Sequence, residues 1–87
     1  VTYLNLTDPL PPVSRLQWQC RRGMLELDYL LREFLDQRYP RLDEAQQRAF
    51  VRLLDYPDQI LQDWFMGRSV PREAGMQLLV DAIRRRD

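Results

Sequence analysis

An all-α domain of about five short helices is the architecture this sequence predicts, on three observations. Apolar residues recur at steps of three and four in successive segments, short connections carrying Pro, Gly or Asp separate those segments, and no segment alternates apolar and polar residues as a half-buried strand would. Eighty-seven residues make one domain, and 45% hydrophobic content that includes four Tyr, three Phe and two Trp supplies a modest core without covalent staples.

The elements follow in order. Residues 1–13 hold three of the six prolines and no helical period, and are expected to form an extended or disordered arm before a five-helix domain at 14–87. Ser14 is placed to cap a first helix that runs through Leu16, Trp18 and Cys20 to about Arg22, where Gly23 breaks or bends the path. A second helix is expected from about Met24 to Arg38, with Leu27, Leu30, Leu31, Phe34 and Leu35 on its apolar face. It ends at Tyr39-Pro40, because the residue before proline avoids the α region. Asp43 followed by Gln46 has the spacing of a capping box for a third helix that buries Ala49, Phe50, Leu53 and Leu54. Pro57 and Asp58 suit the first turn of a fourth, which presents Ile60, Leu61, Trp64 and Phe65 and is closed by Gly67. Ser69-Val70-Pro71 opens a fifth, with Met76, Leu79, Val80 and Ile83 inward and Arg84, Arg85 and Arg86 at its end.

Composition removes several kinds of chemistry. There is no His and one Cys, so one copy can assemble neither a disulfide framework nor a zinc site with ordinary His and Cys ligands, and imidazole acid-base catalysis is excluded. Cys20 would serve as a nucleophile only with its thiolate favoured by Arg21 and Arg22, and a buried structural thiol is the expectation. The thirteen basic residues are all Arg and balance thirteen acids. Zero net charge argues against a general nucleic-acid binder, whereas guanidinium forks suit planar contacts with carboxylates or phosphates. No apolar run approaches the roughly 20 residues that cross a bilayer. The opening V-T-Y-L-N-L-T lacks the basic and apolar regions of a secretory signal, so bacterial cytoplasm is expected ahead of mitochondrial matrix.

The stretch Arg15 to Asp28, R-L-Q-W-Q-C-R-R-G-M-L-E-L-D, carries the candidate site. Arg22 and Glu26 have the spacing of an i,i+4 pair, but the basic residue comes first, which is the weaker order, and Gly23 weakens the helix between them. Either a helix junction or a partner-facing surface answers to that arrangement. Trp18 is expected to pack into the core, with stacking under its arginine neighbours as the alternative. A regular first helix would put Arg15, Trp18 and Arg22 on one face.

These residues resemble the signature of the small FAD assembly factors of succinate dehydrogenase, in which W-x-C-R-R-G-x-x-E-x-D surrounds an R-G-x-x-E core. Arg52-Leu53-Leu54-Asp55-Tyr56-Pro57-Asp58 followed by Trp64-Phe65-Met66-Gly67 is similar to that family's second block, so the resemblance spans about Arg15 to Arg85. It implies a five-helix factor that is not itself an enzyme and has no catalytic, metal-binding or cofactor-binding residues of its own. Such a factor binds the flavoprotein subunit of succinate dehydrogenase or fumarate reductase, and promotes covalent attachment of FAD, held by that partner, to one of its histidines. It implies Arg22, Gly23 and Glu26 as the partner-binding core, with Arg15, Trp18, Arg21 and Asp28 as neighbours. A chain that is monomeric when free, bound to no nucleic acid and inserted in no membrane is expected. The competing function is an antitoxin-type or nucleic-acid-binding regulator, against which the neutral charge counts.

Overall fold

The structure, a computed structural model, describes residues 9–85. Within them lie five α-helices, α1 Val13–Gln19, α2 Leu25–Gln37, α3 Glu44–Leu53, α4 Asp58–Phe65 and α5 Ala74–Arg85, with a 3-10 turn at Tyr39–Arg41 between α2 and α3. The expected arm falls largely outside the described residues, as does Arg86 of the terminal arginine run. Its described end is already engaged: Leu10 packs half-buried on the core, and the Pro12 carbonyl accepts the Arg15 and Leu16 N–H groups at 3.0 and 3.2 Å.

α5 is the element against which α2, α3 and α4 all pack, while α1 lies along α2. The core joins Leu16 and Cys20 of the first segment to Leu27, Leu31, Phe34 and Leu35 of α2 and to the apolar stripes of the last three helices. At its centre Phe50 meets Phe34 at 5.4 Å and Tyr39 at 5.5 Å between ring centroids, in tilted geometries that suit aromatic quadrupoles.

Local signals explain most helix ends. Asp43 accepts the Gln46 N–H at 2.8 Å while the Gln46 side chain receives the Asp43 N–H, so the capping box forms as the spacing predicts. Gly67, at φ 78°, ends α4: its N–H reaches the Trp64 carbonyl and the Arg68 N–H the Asp63 carbonyl, the paired bonds of a Schellman motif.

Four expectations are corrected. α1 begins at Val13 with Pro12 at its cap position, so Ser14 is already helical and makes no cap bond. Trp18 is exposed, since Leu16 and Cys20 share the buried face and a residue two positions from each lies on the opposite side of a helix. Ile60 is exposed as well, because Leu61 and Trp64 take the inward face of α4. α5 starts at Ala74 rather than near Pro71; Pro71 is buried in the preceding loop, where its carbonyl accepts Gln77 Nε2 at 2.6 Å. Arg48, on which no sequence expectation rested, is buried beside Glu44 in the favourable acid-first i,i+4 order, its guanidinium meeting that carboxylate at 2.8 and 3.1 Å.

Candidate functional site

Between α1 and α2 the chain turns at Gly23, whose φ of 78° lies in the left-handed region that a Cβ disfavours. Among the described residues, and apart from its two chain neighbours, no atom lies within 4 Å of where that Cβ would stand, so the glycine answers to the backbone and not to a close contact. One carboxylate secures the turn. Asp28, in the first turn of α2, accepts the Arg22 N–H at 2.7 Å and the Gly23 N–H at 3.3 Å, so two donors that precede the helix are satisfied together.

The Arg22 side chain runs inward, with 14% of it exposed. Its Nε donates to the Gln19 carbonyl at 3.0 Å, Nη1 donates to the Tyr56 carbonyl at 3.1 Å and to Asp58 Oδ1 at 3.0 Å, and Nη2 donates to the Leu54 carbonyl. A guanidinium can serve so many acceptors because its donors lie in one rigid plane. The residue therefore fastens the end of α1 to the turn between α3 and α4. It shares no face with Arg15 and Trp18, since α1 stops before it. It forms no pair with Glu26, which is exposed and makes no hydrogen bond or ion pair among the described residues.

The other face of the segment is turned to solvent. Trp18 is 70% exposed, and the Arg21 guanidinium lies 5.0 Å from its ring centroid, a cation stacked on an exposed π-face. Arg15, three residues earlier, is exposed on the same side of α1. Leu25 is 89% exposed and Tyr29, one turn later, 52%, with its hydroxyl donating to Glu33 Oε2 at 2.9 Å. Arg21, Leu25 and Tyr29 line one groove of about 460 Å³, so the apolar and cationic groups form a single surface. Cys20 lies beneath it. Burial pushes its thiol up to about 11, outweighing the opposing positive charge of Arg22, so it is a neutral, unreactive thiol near pH 7.

The seven predicted site residues thus divide. Arg15, Trp18, Arg21, Gly23 and Glu26 are presented outward, whereas Arg22 and Asp28 are occupied in holding the turn that presents them. Sequence reasoning passed over Leu25, Tyr29 and Asp58. Leu25 and Tyr29 did leave a signal, being apolar residues four apart that lie off the buried stripe of α2.

A family described as flavinator of succinate dehydrogenase matches residues 14–87, from α1 to the end of the chain. The chain belongs to that family. It is 36% identical over 78 residues to the FAD assembly factor SdhE of Coxiella burnetii, across 90% of this chain and 94% of that protein. With the proteins of the same name from Pseudomonas aeruginosa and Legionella pneumophila it shares 45% identity over 71 residues and 46% over 66, covering 82% and 76% of this chain and 84% of each relative. Membership accounts for both sequence blocks, and the structure gives them a physical link, because Arg22 of the first is bonded to Leu54, Tyr56 and Asp58 of the second. Among the described residues, no helix is long and apolar enough to cross a membrane.

Proposed function

We propose that this chain binds the flavoprotein subunit of succinate dehydrogenase, and of fumarate reductase where that enzyme is present, and promotes covalent attachment of FAD to a histidine of that subunit. The observation that carries the reading is the outward face made by Trp18, Arg21, Gly23, Leu25 and Glu26 in a member of a flavinator family. A small folded domain gains nothing for its own stability by leaving a tryptophan and a leucine in water, and contiguous exposed apolar groups rimmed by charge mark a docking surface.

The chain has no His, and its thiol is buried and raised to about 11, so neither imidazole nor thiolate chemistry is offered to the flavin. Its contribution is positional. Trp18 and Leu25 supply area to be desolvated, Arg21 and Glu26 supply oriented charges, and Gly23 leaves room for close approach. Binding would favour the flavoprotein conformation in which the histidine and the flavin methyl carbon are aligned, so the barrier falls through orientation. FAD stays with the partner throughout and is not held stably here.

Purified chain, apo flavoprotein subunit and FAD provide the test. A complex of the two proteins on size exclusion is expected, with covalent flavin accumulating faster than in the subunit alone. A folded chain that forms no complex and leaves the rate unchanged overturns the reading.

A further inference from the structure

We propose that the docking face continues past Glu26 across α2 to the last turn of α5, where Arg84 receives a carboxylate of the partner protein. The inference rests on the partner-binding reading above. Two adjoining depressions share Glu26, Leu30 and Phe65: one of about 260 Å³ reaches Leu25 and Met66, and one of about 400 Å³ ends at Arg84. Leu30 and Phe65 are half-buried and Met66 is exposed, which gives the joined groove an apolar floor. Glu26 and Arg84, which both line the depression of about 400 Å³, carry opposite charges, and among the described residues neither side chain has a hydrogen bond or ion pair.

Arg84 is set in place by the residue it lies against. A Cβ on Gly67 would stand 3.2 Å from Arg84 Nη2 and 3.8 Å from its Cζ, so the absent side chain is what lets the guanidinium lie over the end of α4. The C-terminal end of a helix dipole is a favourable place for a cation. The guanidinium therefore lies beside the Gly67 turn with no acid bonded to it among the described residues, and a carboxylate is the group its planar fork fits. Glu26, which lines the same depression, calls for a cation. The occupant is accordingly a segment of the flavoprotein subunit with a basic side chain at Glu26, an apolar one over Leu30 and Phe65, and an Asp or Glu at Arg84.

Binding of the full chain to the apo flavoprotein subunit, measured by calorimetry at low and at physiological salt, tests this with Arg84→Glu, Arg84→Gln, Glu26→Ala and the control Arg72→Glu, a charge reversal in the loop before α5. Arg84→Glu is expected to raise Kd about tenfold or more at low salt, with a smaller effect at physiological salt, and Arg84→Gln to weaken binding less. Arg72→Glu should stay close to the unaltered protein. Should Arg84→Glu be too unstable to measure, an unchanged Kd for Arg84→Gln overturns the proposal. Unchanged binding by both Arg84 variants beside a weakened Glu26→Ala overturns this extension and leaves the partner-binding reading standing. Wild-type affinity in all three overturns the Glu26 and Arg84 contacts together, no binding by the unaltered chain overturns the partner-binding reading itself, and an equal loss in Arg72→Glu shows a general charge effect and overturns the specific contact.

Discussion

At the scale of single residues, the first block separates groups that build the surface from groups that present it, and stability should divide the same way. Arg22 is mostly buried among four acceptors, so Arg22→Ala strands the Asp58 carboxylate and three carbonyls of Gln19, Leu54 and Tyr56 without their donor. Urea unfolding should show a loss of about 2–3 kcal/mol, the scale of hydrogen bonds to a charged group. Glu26→Ala, at an exposed position with no side-chain partner among the described residues, should stay within about 0.5 kcal/mol. Cys20 sets a second expectation. The unfolded thiol ionises near its ordinary 9.0, whereas burial holds the folded one at about 11, so ionisation favours the unfolded chain. Stability is then undiminished below pH 9 and falls as pH rises from about 9 through 11, by about 1–3 kcal/mol. Tyr39, also raised by burial, adds a loss of the same sign at higher pH. Unfolding curves across that range should be flatter for Cys20→Ala. The break at Gly23 was legible from the residue itself, but the inward course of Arg22 was not, because three of its acceptors lie 32 to 36 residues further along the chain.

Among the helices, legibility followed how local the determining interaction is. The Asp43–Gln46 box and the Gly67 terminus are decided within one turn of chain, and both form as their spacings predict. Replacing Asp43 with Ala should therefore cost about 1 kcal/mol, read as a lowered melting midpoint, since it removes the acceptor of the Gln46 N–H. The start of α1 escaped prediction because Pro12 can occupy the cap position without a side-chain bond, its own carbonyl carrying the first helical contacts. Trp18 was misplaced for a different reason. Its size favours burial on average, but α1 has only one narrow face on the core, and Leu16 and Cys20 fill it. The start of α5 shifted because Pro71 is used as a buried loop residue, where it takes a bond from Gln77, and not as the first helical position.

For the whole molecule, an all-α domain was legible because the apolar stripes of α2, α3 and α5 are periodic and their loops short, so each helix has a single way to face the others. The candidate site was legible as a segment, and its division of labour emerged only once α3, α4 and the first turn were brought together. In the proposed reading that division makes the turn a platform: Arg22, Asp28 and Asp58 are bonded within a turn from which Trp18, Leu25 and Glu26 face outward. Covalent flavin on the partner subunit, read as fluorescence in a denaturing gel from cells that lack the native factor and carry a variant, tests this most directly. Leu25→Ser is the sharpest variant, since an 89% exposed side chain contributes little to folding. With melting behaviour unchanged, Leu25→Ser and Glu26→Ala should each lower the flavin signal severalfold, and their combination should lower it about tenfold or more, the scale of about 1.4 kcal/mol of lost binding. Full flavin attachment by the folded double variant would contradict the account.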